Sequence, residues 1–465
     1  MSEKKALPLI LGPVIGICVS WWLSQTSDLS EAAAITAGVT VLTVIWWILQ
    51  PVPIAVASLI PIAVLPMLAA APQQAISQAY GHPLIMLLMG GFILSTAMAK
   101  SGAHRRLALF MVNLFGKSSS RSLVLGFMVA SAFLSMWISN TATTLMLLPV
   151  AMAVLEKSPD KALAIPLLLG IAFASNVGGI GTPIGTPPNA VFMAVYETNT
   201  QQRIEFLQWM SWGIPTVILF VPIIWLWLTR HLNYKGAFEL PSVGPWRPPE
   251  RRVMIVFALT ALAWMTISEP FGGWRNCFAM GCMSLPTANY GHVALIAVII
   301  MFLVPDGYGK GDRLLDWDTA TKIPWGMLLL FAGGLSIASA FGSSGLSDAL
   351  GQSLSILNEL ETLVLIAAIC LGVTFLTEVT SNTATTTLLM PILASAALAA
   401  SIDPKLLMLP AAMSASCAFM LPVATAPNTV MFSTGEVPIT TMIREGVVLN
   451  LLGAMVITTV VYLLI

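Results

Sequence analysis

The sequence predicts an all-α polytopic membrane protein made of two halves with inverted topology, and three observations carry that prediction. Hydrophobic residues make up 57% of the 465 and charged residues only 9%, with a mean hydropathy of +0.87, which leaves too few charges to clothe a soluble protein of this size. Apolar stretches near the ~20 residues that a helix needs to cross a ~30 Å hydrocarbon core recur along the whole chain. A cluster of small polar residues, SNTATT, stands inside two of the apolar runs, at Ser139 and at Ser381, 242 residues apart. Helices are the expected element because lipid offers the backbone no water, and the alternating strands of a barrel, about ten residues each, are absent. The formal net charge is zero, so nucleic acid is not an expected partner.

Taken in order, the first element, in MSEKKALPLILGPVIGICVSWW, has the charge and apolar run of a signal peptide but no persuasive small-residue cleavage site. It is read as a retained helix over 8–25. Spans follow over 31–49, 52–71 and 83–99. Segment 120–157 differs, with Arg121 at its start, Lys157 and Lys161 at its end and SNT at its centre. As one helix at ~1.5 Å per residue it is nearly twice the membrane thickness. Its joining residues are too few and too apolar for an aqueous loop, whereas bent backbone at membrane depth is tolerated where it lines a cavity, so a re-entrant hairpin is expected. Spans over 163–195 and 211–229 lead to the polar, Pro-rich HLNYKGAFELPSVGPWRPPERR (231–252), read as a cytoplasmic linker. After 253–268, 290–305 and 325–342 comes a second hairpin, 361–400, and then 406–432 and 445–465. Of the five cysteines, Cys18, Cys370 and Cys417 sit in apolar runs, and Cys277 and Cys282 share one loop and can pair only if it faces an oxidising compartment.

Positive charge tests this path. With the N-terminus in the cytoplasm and both odd segments as hairpins, 18 of the 21 Lys and Arg fall on the cytoplasmic side, leaving Arg203, Arg275 and Lys405 outside, as the positive-inside rule requires. Five spans separate the hairpins, so the second enters from outside, and the C-terminus is external. The second hairpin's flanks agree, carrying Asp348, Glu359, Glu361 and Asp403 with Lys405 as the lone base. Two more motifs recur: GGFILSTAMAKSG from Gly90 matches GGLSIASAFGSSG from Gly333 at offset 243, and GTPIGTPPNAVF from Gly181 matches MLPVATAPNTVM from Met420 at offset 239. Three pairs at nearly one offset identify an internal repeat.

Ser, Asn and Thr are helix N-cap residues, and each SNT stands just before a new apolar helix. The helix start and its side chains then point at the hairpin tip and favour an anion. Pro183, Pro187 and Pro188, and Pro422 and Pro427 in the other half, break a helix and free carbonyls near Gly185 and Ala424. Those carbonyls, with hydroxyl and amide oxygens, suit a hard cation such as Na⁺. A lone SNT is most often an interhelical hydrogen bond and a lone TPPN a kink. Their repetition in oppositely oriented segments is the pattern of transporter binding sites. Glu378 is an ionisable group in the second hairpin, open to a functional role or a structural hydrogen bond. His82, His104, His231 and His292 are given no role, the Met-rich runs and Trp residues read as packing and interfacial belts, and the GG near Gly90 reads as close helix contact.

The paired SNT motifs, the TPPN and TAPN breaks and the inverted arrangement resemble the divalent anion:sodium symporter family, the INDY-type dicarboxylate carriers, over nearly the entire chain. The resemblance implies eleven transmembrane helices plus two re-entrant hairpins, a homodimer, an elevator movement, and coupling of C4-dicarboxylate uptake to several Na⁺. It divides the chain into scaffold parts at 1–119 and 253–360, transport parts at 120–230 and 361–465, and the linker at 231–252. Carried over by motif, one Na⁺ site uses Ser135, Ser139, Asn140 and Gly185, and the other Thr377, Thr380, Asn382 and Ala424. Substrate carboxylates meet Asn140, Thr141, Asn382 and Thr383, with Thr186 and Thr425 nearby. Where the family has a proline in each break, this chain has Pro187 in one and Ala426 in the other, which leaves the anion's identity open. No Lys or Arg lies within either hairpin interior or either break, so bound cations are expected to neutralise a doubly negative substrate at membrane depth. Sulfate or citrate symport, sodium-independent exchange and proton coupling through Glu378 remain alternatives within transport. An intramembrane enzyme needs an acid–base, nucleophile or metal constellation, and the polar midplane offers hydroxyls and amides, one carboxylate and no histidine.

Overall fold

The computed structural model describes residues 3–115, 118–236, 238, 244–268, 273–277, 285, 287–309, 311–353 and 361–465, and among them every regular element is a helix. Among the described residues a single isolated antiparallel bridge joins Pro305 to Arg313. Among the described residues eight helices are long and apolar enough to span a bilayer, from Leu7–Thr26 and Glu31–Leu49 to Ile439–Leu464, and four shorter apolar ones accompany them.

The departures from the expected spans have local causes. Segment 52–71 is divided into Ile54–Ala57 and Leu59–Met67. Proline at 66 cannot donate to the helix ladder, and Ala69 takes a left-handed φ of 55° that ends the run. Ser58, between the two pieces, donates to the Ile54 carbonyl and accepts from Trp47 Nε1 at 3.0 Å. The GG at Gly90 is a close helix contact, as expected, and its repeat at Gly333 is a close contact too. A methyl on Gly333 would lie 2.6 Å from the Ser58 carbonyl, and one on Gly90 would lie 2.5 Å from Ala294 Cβ.

Each SNT segment is a helix, a short turn and a second helix: Ser120–Ser135 and Asn140–Lys157, then Thr362–Thr377 and Asn382–Ala399. The serine of each motif is the N-cap of the following helix, Ser139 and Ser381. The expected spans 163–195 and 406–432 are broken helices. The first is Ala164–Gly178, a 3₁₀ turn at Gly179–Gly181, and Pro187–Thr200. The second is Pro404–Ser414, then Ala426–Phe432. Each restart has proline in its first two positions, where its missing N–H costs nothing. The halves interlace, because Pro187–Thr200 packs on Asn382–Ala399 of the other half and Ala426–Phe432 packs on Asn140–Lys157. At the centre, every residue of Ala164–Gly178 from Leu167 onward is buried.

In the linker, residues 231–236, 238 and 244–252 are described. Whether Cys277 pairs with Cys282 lies outside the described residues, since Cys282 and the Cys277 side chain do. Cys370 and Cys417 are buried and Cys18 is exposed.

Candidate functional site

At the first tip, Ser139 accepts from the Ala142 N–H at 3.2 Å, which caps the helix beginning at Asn140. The last residue of the preceding helix, Ser135, donates to Asn140 Oδ1 at 2.6 Å and stands 3.3 Å from the Ser175 hydroxyl, which donates to the Asn140 carbonyl at 3.0 Å. Two hydroxyls, an amide oxygen and a backbone carbonyl therefore form one oxygen cluster. The first break closes on it, because a methyl on Gly179 would lie 2.9 Å from Asn140 Oδ1 and 3.2 Å from Thr186 Cβ. Gly185 is in backbone contact with Gly179, where a methyl would meet the Gly179 carbonyl at 2.4 Å. Ser135, Asn140, Gly185 and Thr186 are thus brought together, as the sequence predicts.

The second tip repeats the hydroxyl-to-asparagine bond, although Ser381 makes no side-chain cap bond where Ser139 does. Thr377 donates to Asn382 Oδ1 at 2.7 Å and reaches the Ala415 carbonyl at 3.2 Å. Thr386 donates to the Asn382 carbonyl as Thr144 does to that of Asn140, both at 2.8 Å. The breaks correspond as well. Asn189 donates to the carbonyls of Gly179 and Thr182, and Asn428 to those of Ala418 and Leu421. Gly185 N–H bonds to Thr182 and Ala424 N–H to Leu421. Each of these pairs is related by an offset of 242 in the hairpins or 239 in the breaks.

The halves also differ. Thr380, assigned to a cation by motif, donates to the Leu376 carbonyl and shares a hydrogen bond with Thr385. It faces a cavity of about 400 Å³ with Ser381, Ala424 and Thr425, walled on the far side by Val44 and Trp47. Thr425 caps its helix by accepting from Asn428 N–H, whereas Thr186 makes no such cap bond. Thr141 and Thr383 follow the tip asparagines, Thr141 half-buried and Thr383 buried.

Ser175, Asn176 and Asn450 escape motif reading. Ser175 completes the first oxygen cluster. Asn176, one residue on, donates from Nδ2 to Thr425 Oγ1 at 3.1 Å and to Asn428 Oδ1 at 3.4 Å, tying one break to the other. Glu378 accepts from the Phe419, Met420 and Leu421 N–H groups at 2.7, 2.9 and 3.0 Å and from Asn450 Nδ2 at 2.8 Å. Its carboxylate pins the second break, the structural half of the choice the sequence left open. The equivalent position in the first half is Met136, whose side chain packs at Gly181 and whose carbonyl accepts from Thr182 Oγ1. The SN of FASNVGG was the available signal for Ser175 and Asn176; for Asn450 there was none.

Comparison with known proteins supplies the family. The family described as the sodium:sulfate symporter transmembrane region matches residues 3–464. A sodium-dependent dicarboxylate transporter SdcS of Staphylococcus saprophyticus is 36% identical over 481 residues, covering 98% of this chain and 91% of the relative. SdcS of Staphylococcus aureus is 37% identical over 484 residues, covering 99% and 91%. Among solved structures, the YdaH transporter of Alcanivorax borkumensis superposes with a TM-score of 0.57 at 15% identity, over 83% of this chain and 86% of that one, a likeness of fold. Full-length coverage by the family, together with relatives above one-third identity, places this integral membrane chain in the sodium:sulfate symporter family, the divalent anion:sodium symporters.

Proposed function

We propose that the chain is a secondary active transporter that couples Na⁺ to the uptake of C4-dicarboxylates such as succinate, malate and fumarate across the cytoplasmic membrane of a bacterium. The observation that carries the reading is the state of the two tip asparagines. Each has its amide oxygen engaged by the hydroxyl five residues before it, which turns its N–H₂ away from that hydroxyl and leaves it to donate to a ligand. Two such donors, each at a helix start, suit a ligand with an anionic group at either end. The oxygen clusters behind them supply hydroxyl, amide and carbonyl ligands for a hard cation. Na⁺ at Ser135, Ser139, Asn140 and Gly185, and at Thr377, Thr380, Asn382 and Ala424, would neutralise a substrate held by Asn140, Thr141, Asn382 and Thr383 beside Thr186 and Thr425. Cation and anion then raise each other's affinity reciprocally. The family and the relatives named above are transporters, so an enzyme reading has no support from them.

In this reading the two hairpins re-enter from opposite sides, with the N-terminus cytoplasmic and the C-terminus external. Parts 120–230 and 361–465 move as one unit against 1–119 and 253–360 in each half of a homodimer. Radiolabelled succinate uptake into proteoliposomes tests the chemistry, with an inward Na⁺ gradient, with choline in place of Na⁺, and with succinate preloaded. Uptake that requires the gradient, and that Asn140→Ala and Asn382→Ala each abolish, is expected. Uptake that ignores Na⁺ but needs preloading establishes an exchanger instead, and full activity in both mutants refutes the site. Terminal tags in intact cells report the sides, and crosslinking of the purified protein reports the dimer. Sulfate is the second reading, favoured by the family's description, and competition by sulfate against labelled succinate separates the two.

A further inference from the structure

Among the buried side-chain oxygens of the second half, Thr374 Oγ1, Ser416 Oγ and Asn450 Oδ1 have no hydrogen-bond partner, and Ser414 and Thr458 meet only the Cys370 thiol. Folded interiors rarely leave such groups unmatched, so the unpartnered ones ask for a ligand. A helical threonine ordinarily spends its hydroxyl on the carbonyl four residues back, as Thr36, Thr40 and Thr43 do here. Thr374 and Thr458 do not. These oxygens are also grouped. Cys370, Thr374 and Glu378 recur every fourth residue and share one face of Thr362–Thr377 and its C-cap, and Asn450 and Thr458 share a face of Ile439–Leu464. These two helices pack on each other and on Pro404–Ser414.

Glu378 stands at the foot of this column, 3% exposed, with no Lys, Arg or His bonded to it among the described residues. Oε1 accepts three hydrogen bonds and Oε2 only one, from Leu421 N–H, so Oε2 keeps accepting capacity. Asn450 gives its N–H to Oε1, which leaves its own oxygen beside the carboxylate. A buried carboxylate without a countercharge is costly, and unpartnered oxygens next to it are what a cation replaces. No three His, Cys, Asp or Glu gather among the described residues, so the donor set is hard oxygen and suits a group 1 ion rather than a transition metal.

We propose that Glu378 Oε2, Asn450 Oδ1 and Thr374 Oγ1 form a third Na⁺ position, one helical turn behind the second tip and separate from both tip clusters; the proposal rests on the sodium-coupled reading. Na⁺ there offsets the charge of the group that orients the 419–421 peptides, so its occupancy is linked to the shape of the second break.

The test compares wild type, Thr374→Val and Thr374→Ser in two assays: Na⁺ activation of succinate uptake into proteoliposomes, and Na⁺-dependent thermal stabilisation of purified protein without substrate, with choline as control. Thr374→Val is expected to raise half-saturating Na⁺ about tenfold and lower the Hill coefficient for Na⁺ by about one, while Thr374→Ser stays near wild type. A merely wasted hydroxyl gives the opposite result. Thr374→Val then keeps both wild-type Na⁺ curves and melts no lower without Na⁺, and that outcome overturns the proposal alone. A wild type indifferent to Na⁺ in both assays overturns the coupling reading, and this proposal with it. Should Thr374→Val not accumulate, Thr374→Ala is read against the same outcomes.

Discussion

A methyl at position 185 has no room, since it would lie 2.4 Å from the Gly179 carbonyl oxygen and 3.0 Å from two more backbone atoms of that residue. At 179 the obstacle is instead the Asn140 amide, a side chain that can rotate. Overpacking of this kind typically costs about 1–3 kcal/mol, and at 185 the cost falls on the backbone that shapes the first oxygen cluster. Gly185→Ala is therefore expected to abolish Na⁺-dependent uptake, whereas Gly179→Ala keeps some uptake with a raised half-saturating Na⁺. Equal, wild-type activity in the two would refute the close packing of break on tip. The second half carries alanine at both equivalent positions, Ala418 and Ala424, and there the break borders the 400 Å³ cavity. Motif reading, carried over from the family resemblance, recovered both residues of each tip bond, whose hydroxyl and amide lie five apart along the chain. It missed Ser175 because the bond to Asn140 spans 35 residues.

Helix Ala103–Phe115 is fastened to the end of the linker by Arg106. Its guanidinium bonds to Glu250 Oε2 at 2.8 Å and to the carbonyls of Gly244 and Pro245, and it lies over the Trp246 ring. Both charged side chains are under a tenth exposed. Burial pushes the Glu250 carboxyl up, but the Arg247 backbone N–H and the Arg106 guanidinium outweigh it and hold the group below its ordinary 4.5. A depressed carboxyl contributes stability above its unfolded value and loses it as pH falls through the folded one. The clasp thus holds at neutral pH and releases only in acid below about 4.5. Arg106→Met strands a buried carboxylate, at a cost of about 3–5 kcal/mol. A clearly lower melting temperature at pH 7 is expected, with the gap to wild type narrowing in acid. A melting temperature within error of wild type at pH 7 would show that the clasp holds nothing. The composition of 231–252 marks it as a linker, but nothing in it announces that a residue more than a hundred positions earlier closes on its end.

Across the whole molecule, aromatic rings join the part proposed to move with the part proposed to stay. Trp137, in the turn of the first tip, lies near Phe206 and edge-on to Phe257, and Phe206 stacks on Trp264 at 5.8 Å. The Phe206 N–H donates to Tyr290 Oη, which bonds in turn to Glu205. In the elevator reading these contacts belong to one end state. Aromatic pairs are worth about 0.5–1.5 kcal/mol each beyond area, so Trp264→Ala is expected to deplete that state roughly two- to tenfold. Faster hydrogen exchange in 206–228 and 248–265 would report it, and unchanged exchange would argue against an end-state lock. The sequence by itself determined the solvent and the doubled tips and breaks, because hydropathy, N-caps and proline breaks act within a few residues of their cause, while the tip residues Ser135, Asn140, Thr377 and Asn382 came from the family resemblance. Only the tertiary structure decided that Ser175 completes the first tip, that Asn176 ties one half to the other across 249 residues, and that Glu378 holds the second break. Those contacts depend on how packed helices align across the chain, and no local pattern encodes that alignment.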